Sequence, residues 1–477
     1  MRLWKKILLG IGMCLAFVVG LFLVFVGPWP TYASSFENEG YFKKAVAAIE
    51  ENGRQSAITD KPGRLQAGWG FSIITPQVGT PMAGYSSRGG KPSTGVHDDL
   101  YVKALALSDG EDVAVLVGAD MLLIPENVAA MVREKVAART PLTPNDIYFA
   151  ASHTHAGPGA FGPGIAAYVT GGKHNPAIPV FLAEGFTSAI VRAYETLEPA
   201  KLAHGGVNAK EFIRNRTREA PVDDELSYLV VEQDDGDRCY LVSFSAHPTV
   251  LGGGNMELTA EYPGFLQQAI ESETGATAVY LGGAVGSMGP RAPEGSSGYA
   301  RAEAMGHALA ERVLNDAKEP AFEDHLDVAS VGVPLDLPPF QVRILSPKWR
   351  FSKFLPVLAG VNTSGWMQTV RVGNVVFVGV PADFSGEISV RWKAWAEQRG
   401  YDLWATSFCA DYAGYVSPDE YYMQVKDEKG EPEYETGLMS WCGPHQEAYF
   451  TTLMNRMVDV ISGSPQPHPP AGDGAPA

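Results

Sequence analysis

The longest uninterrupted apolar stretch in this 477-residue chain covers residues 7–27 and carries no charge, with Arg2, Lys5 and Lys6 ahead of it. Twenty-one residues at about 1.5 Å rise each span about 30 Å, the hydrocarbon thickness of a bilayer. Signal-peptide cores are usually shorter, at about 7–15 residues. The stretch therefore reads as a retained anchor, and cleavage after Ala33 in the Thr31, Tyr32, Ala33, Ser34 sequence is the alternative. In both cases the positive flank stays in the cytoplasm and the body is exported.

Beyond the anchor the pattern changes. Residues 35–66 read as a polar connector holding a short helix over 37–51. Residues 67–462 form the globular body, and the Pro/Gly/Ala-rich residues 463–477 read as a disordered tail. Within the body, short apolar runs alternate with longer amphipathic ones. Strands are expected at 113–118, 146–151, 240–246, 278–281 and 375–380. Helices are expected at 125–138, 179–195, 262–273, 299–314 and 386–398, with an irregular β-rich stretch over 326–369. This alternation predicts an α/β fold, a layered sandwich of mixed β-sheets flanked by helices, in one large catalytic-type domain.

Composition narrows the function classes. Hydrophobic residues make up 45% of the chain, enough for a large core, and the net charge of −17 excludes a nucleic-acid partner that needs a basic footprint. The four cysteines, Cys14, Cys239, Cys409 and Cys442, form neither a disulfide scaffold nor a CxxC metal site. Export makes a Cys409–Cys442 pair conceivable, with connectivity left open.

The candidate chemistry sits where strands end. Residues 151–159 (ASHTHAGPG) place His153 and His155 at i and i+2, which in extended backbone puts both imidazoles on one face. Two satisfied loop histidines are the plain alternative. A metallo-β-lactamase HxHxDH pattern is excluded because Gly157 and Pro158 stand at its last two positions. His247 closes a second strand and Asp383 a third, and ligands collect at the carboxyl ends of strands in layered α/β folds. Asp383 with Ser385 has a simpler reading as a helix cap. The Gly-rich turn over 282–290 fits no nucleotide-binding pattern.

Several motifs occur together in order: residues 79–85 (GTPMAGY), 95–101 (GVHDDLY), 152–159 (SHTHAGPG), 215–217 (NRT), 246–249 (AHPT), 434–435 (YE) and 443–445 (GPH). Over residues 67–450 this set resembles the neutral/alkaline non-lysosomal ceramidase family, zinc amidases that cleave the N-acyl bond of ceramides. The resemblance implies a Zn²⁺ cofactor held by His153, His247, Asp383 and Tyr415. Asp383 stands where the family has Glu, Glu387 is the substitute ligand four residues on, and Tyr412 is the alternative to Tyr415. It further implies that His155, Arg216 and Tyr434 line the substrate amide. Where the family has Gly-Asp-Val-Ser-Pro, this chain has Gly286, Ser287, Met288, Gly289 and Pro290, so Gly289 replaces the family's serine and Ser287 is the nearest hydroxyl. The β-rich C-terminal domain of the family is expected to be absent.

These readings predict a membrane-anchored hydrolase, or a secreted or periplasmic one if the signal is removed. It would cleave a lipid-like N-acyl amide with activated water, His155 moving the proton and Arg216 with Tyr415 steadying the oxyanion. The alternatives are a zinc amidase or esterase acting on another acyl compound, and a non-catalytic exported lipid-binding protein.

Overall fold

The computed structural model describes residues 2–32, 34–53, 62–295, 297–426 and 434–462. The tail over 463–477 and the Ala33 cleavage point lie outside these residues.

Two stacked sheets hold the body together. The larger contains β1 (Gln66–Ile73), β2 (Tyr101–Ser108), β3 (Val113–Ala119), β4 (Ile147–Ala151), β5 (Glu198–Asn208), β6 (Glu225–Gln233), β7 (Arg238–Phe244) and β8 (Thr277–Gly282), in the order β8-β7-β6-β5-β1-β2-β3-β4. The smaller runs β9 (Val328–Asp336), β10 (Ser364–Val372), β11 (Val375–Gly379) and β12 (Asp402–Thr406) in sequence order. Both are mixed. The pairs β3–β4, β7–β8 and β11–β12 are parallel, and the remaining pairs are antiparallel.

Strand alternation sorts the side chains into layers. In β3, Ala114 and Leu116 face the smaller sheet, while Val115, Val117 and Ala119 face helices. In β11, Val375 and Phe377 face the larger sheet, while Val376 and Val378 face the opposite way. The shared inner layer includes Tyr148, Leu241, Leu281, Phe377 and Trp404. Against the outer face of the larger sheet lie α3 (Glu126–Ala137), α5 (Ala177–Glu195), α6 (Glu261–Thr274) and α7 (Tyr299–Asp316). Against the outer face of the smaller sheet lie α2 (Gly40–Gly53), α9 (Gly386–Glu397) and α10 (Gln446–Ile461). The layers thus run helix, sheet, sheet, helix, the expected sandwich.

The helix expected at 37–51 is α2, and it buries Phe42, Ala45 and Ile49 against β9 and α10, so this segment packs onto the body rather than merely linking to it. At the N-terminus α1 (Arg2–Phe25) exposes its apolar side chains, and Leu3–Phe25 is long and apolar enough to cross a membrane.

Three parallel pairs come from strand-helix-strand units: β3-α3-β4, β7-α6-β8 and β11-α9-β12. The larger sheet also curls until its edges meet. A Cβ on Gly282 of β8 would lie 2.4 Å from the Ala151 carbonyl oxygen at the end of β4, and one on Gly118 of β3 would lie 2.3 Å from the Tyr280 carbonyl oxygen. Only glycine allows these approaches. They bring the carboxyl ends of β4, β7 and β8 to one place, over which the end of β11 closes.

Candidate metal centre

His153 follows β4 and His247 follows β7, and both are buried. The His153 backbone has φ of 66°, a left-handed conformation that a non-glycine residue adopts only under local constraint. This corrects the strand-alternation argument. His153 and His155 do converge, with Nε2 atoms 3.1 Å apart, but a turn in the loop brings them together, not extended backbone. The His153 ring stacks on Phe408 at 4.1 Å between centroids and 11° between planes.

The backbone fixes both tautomers. His153 Nδ1 lies 2.6 Å from the Leu122 carbonyl oxygen, and His247 Nδ1 lies 3.0 Å from that of Met288. A carbonyl oxygen only accepts, so each Nδ1 carries the proton and each Nε2 presents a lone pair. Burial pushes both imidazoles down to about 3, which keeps them neutral. Both Nε2 atoms face Oδ1 of Asp383, at 3.5 Å from His153 and 3.4 Å from His247. With neutral rings these contacts are not ion pairs. Neither imidazole offers a proton at Nε2, and neither His247 Nε2 nor Asp383 Oδ1 has a hydrogen-bond partner. Each such buried orphan costs about 1–3 kcal/mol, and a cation at the centre would satisfy both at once while also meeting the His153 Nε2 lone pair.

Asp383 reaches this position from the loop after β11. With Phe384 it forms a two-residue parallel pairing with Tyr415 and Val416. Burial raises its carboxyl, against which His153 and the hydrogen-bonded Tyr412 hydroxyl act. The capping role belongs to Ser385 alone, whose hydroxyl accepts from the Glu387 backbone N–H at the start of α9. Glu387 is not part of the cluster: its carboxylate accepts from Asn215, Arg218 and Tyr421.

Both candidate tyrosines reach the Asp383 carboxylate. Tyr412 Oη donates to Asp383 Oδ2 at 2.7 Å. Tyr415 Oη accepts from Arg216 Nη2 at 2.9 Å and also lies beside the Asp383 carboxylate, helping to hold it ionised. Burial raises both hydroxyls well above the ordinary tyrosine value, so both stay protonated. Tyr434 is more than half exposed and crosses Tyr415 edge-on at 6.0 Å.

Arg216 leads to Ser287 through a residue given no role from the sequence. Glu435 accepts from Arg216 Nε through Oε1 and from Ser287 Oγ through Oε2, both at 2.5 Å. Burial alone would lower the Arg216 guanidinium, but the Glu435 charge outweighs it and raises the group above its ordinary value. The YE pair at 434–435 was the available signal, but it does not indicate which distant cation the carboxylate meets.

His155 is half-buried, with Gly84 and the Tyr85 ring against it and no hydrogen-bond partner at Nδ1. His153, His155 and His247 place one nitrogen each within 4.8 Å of one another, a group that can hold a metal ion. All four cysteines are free, and Cys409 and Cys442 are buried separately, the first against Gly379 and the second against Ala413.

Residues 66–287 match the family model described as neutral/alkaline non-lysosomal ceramidase, N-terminal. That span holds His153, His155, Arg216, His247 and Ser287, while Asp383, Tyr412, Tyr415, Tyr434 and Glu435 lie beyond it. A neutral ceramidase from Pseudomonas aeruginosa is 24% identical over 260 residues, covering 48% of this chain and 37% of that protein. Neutral ceramidase A from Dictyostelium discoideum is 25% identical over 224 residues, covering 42% and 31%. The matched stretch thus spans about a third of the length of these relatives.

In fold, the chain is similar to the crystal structure of neutral ceramidase from Pseudomonas aeruginosa, with a TM-score of 0.71 at 20% identity over 86% of this chain and 76% of that one. A ceramidase complexed with C2 gives a TM-score of 0.71 at 19% identity over 87% and 78%. Motif order, family model and fold together establish that the resemblance is to the neutral/alkaline non-lysosomal ceramidase family.

Proposed function

We propose that this protein is a zinc-dependent hydrolase that cleaves the N-acyl amide bond of a ceramide-like lipid, outside the cytoplasm and beside the membrane that α1 enters. The observation that carries the reading is the convergence of Asp383 Oδ1 with the lone pairs of His153 Nε2 and His247 Nε2. Two imidazoles and a carboxylate suit zinc and leave room for further ligands, with His155 Nε2 and the Tyr415 hydroxyl nearest. When bound there, zinc supplies Lewis acidity and a lowered pKa for water.

The rest falls to the chain. His155 is close enough to take a proton from water and pass it to the leaving nitrogen, through a ring whose Nδ1 is unpartnered. Arg216, kept charged by Glu435, faces the Tyr415 hydroxyl, and the two meet the charge that develops on the carbonyl oxygen. Tyr434, with its exposed ring, lines the entrance for the amide. Ser287 is a positioning residue, since its hydroxyl donates to Glu435.

Metal content and turnover of the purified full-length protein in detergent test this reading. Stoichiometric zinc, cleavage of an N-acylsphingosine, and loss of both in His247→Ala are expected. A metal-free protein with full activity, or full activity in His153→Ala, overturns it. One observation favours a second reading. Gly289 has no side chain where the family carries serine, so an acyl substrate other than ceramide, or lipid binding without turnover, is the alternative. Cleavage of short-chain amides but not ceramide would identify the first, and zinc without turnover the second.

A further inference from the structure

We propose that α4 (Ile165–Gly171), α8 (Leu355–Ala359) and the chain around Trp29 and Trp349 form a lipid-docking face that lies on the surface of the membrane entered by α1. This goes beyond the reaction proposed above and does not depend on it.

The C-terminal end of α1 is fixed to the body rather than tethered to it. The Ser352 backbone N–H donates to the Val26 carbonyl at 2.9 Å, and that of Thr31 donates to Lys348 at 3.1 Å. Trp29 and Pro30 pair antiparallel with Arg350 and Trp349, and the Phe25 ring lies 6.1 Å from Phe354. Any bilayer that holds α1 therefore comes up against residues 346–358.

The surface at that place is apolar. Val357 is 65% exposed and Leu358 58%, with Phe354, Leu345 and Trp349 also exposed. The face continues without a gap, because the end of α8 touches the start of α4: a Cβ on Gly164 would lie 3.0 Å from Gly360 Cα. Beyond that contact α4 exposes Ile165, Tyr168 and Val169. Clusters of exposed apolar side chains on a soluble surface mark a contact site. Tryptophan and tyrosine beside the end of a membrane-spanning segment are the residues that settle at headgroup level.

Charge identifies the occupant. Although the chain carries a net charge of −17, residues 26–32, 160–173 and 343–362, which supply this face, contain no Asp or Glu. Lys348 and Lys353 are exposed within it. A face cleared of negative charge and supplied with lysine fits a phosphate-bearing lipid surface. The face also leads to the metal centre: the Gly84 N–H donates to the Thr170 carbonyl of α4 at 2.9 Å, and Gly84 packs on the His155 ring.

Depth measurement on the full-length protein tests this. Val357→Cys and, separately, Tyr168→Cys are made in a Cys14→Ser background, where the remaining cysteines are buried. Each is labelled with an environment-sensitive fluorophore and reconstituted into phosphatidylcholine vesicles containing phosphatidylglycerol, with or without a shallow nitroxide lipid. Ser272→Cys on exposed α6 is the reference. A blue shift and several-fold stronger nitroxide quenching at 357 and 168 than at 272 are expected. Quenching no stronger than at 272 overturns the proposal. A blue shift without quenching overturns it as well, because a second copy of the chain or another protein would then cover the face.

Discussion

The Tyr412 hydroxyl donates to Oδ2 of Asp383 at 2.7 Å, and this leaves Oδ1 as the oxygen that faces the two histidines. A carboxylate without that hydrogen bond would be held by Tyr415 and packing alone. Outer hydrogen-bond partners of this kind are typically worth 10–100-fold in metal affinity. Tyr412→Phe should therefore retain the fold and weaken zinc binding by about 10–100-fold, read by competition with a chromophoric chelator. Asp383→Asn should lose the metal on dialysis.

Glu435 separates a supporting role for Ser287 from a nucleophilic one. If Ser287 only steadies Glu435, Ser287→Ala loses one hydrogen bond to a charged group, about 1.5–3 kcal/mol, and retains measurable turnover. Removing a true nucleophile costs orders of magnitude more. Glu435→Gln should lower kcat by about 10–100-fold, or about 1.4–2.7 kcal/mol of barrier, with zinc content unchanged. Steady-state kinetics alongside metal analysis distinguishes these outcomes.

Sheet closure depends on the missing side chains of Gly118 and Gly282. Gly282→Ala puts a methyl 2.4 Å from the Ala151 carbonyl oxygen, an overpacking that forces backbone movement and costs about 1–3 kcal/mol or more. Gly40→Ala, at the exposed start of α2 with nothing within 4 Å, should be neutral or slightly stabilising. Thermal unfolding of the two variants side by side checks the contrast.

Among the described residues, pH acts on the His204–Asp402 contact between the two sheets. His204 Nδ1 lies 3.1 Å from Asp402 Oδ2, and this hydrogen bond raises the imidazole despite partial burial. A raised folded value means the stabilisation is fully present below about pH 6.5, the unfolded value, and is lost as pH rises through the folded one. With both groups partly exposed it is worth about 0.5–1 kcal/mol. Asp402→Asn should lower stability in mildly acidic buffer and match the parent at alkaline pH in denaturant melts.

The parts of the fold read from the sequence were those with local periodicity. The expected helices and parallel strands match α3, α5, α6, α7, α9, β3, β4, β8 and β11 to within a few residues. Of the antiparallel half only the β-rich stretch over 326–369, which holds β9 and most of β10, was read. In β1 and β5, Gly68, Gly70, Gly205 and Gly206 break the apolar alternation because other side chains or backbone atoms fill the space above them. In the candidate site His153 and His155 converge as expected, though through a turn and not through extended-backbone spacing, and Asp383, which only the family resemblance picked out as a ligand, lies beside His153 and His247. The site was not legible where function comes from pairing across the fold: the Arg216–Glu435 contact joins residues 219 positions apart, and no local pattern encodes it. Likewise, the lone pairs of His153 and His247 are set by the carbonyls of Leu122 and Met288, whose side chains play no part.

The curl that assembles the metal centre also settles the fate of the sheet's outermost strands. In an open sheet these strands present unpaired backbone groups along which another molecule can add a strand. Here β4 and β8 are the outermost strands, yet β4 is buried throughout and β8 in all but its first residue, with β8 lying against β3 and the end of β4. Gly118 and Gly282 allow this approach, so the burial of the outermost strands and the formation of the site come from the same pair of contacts.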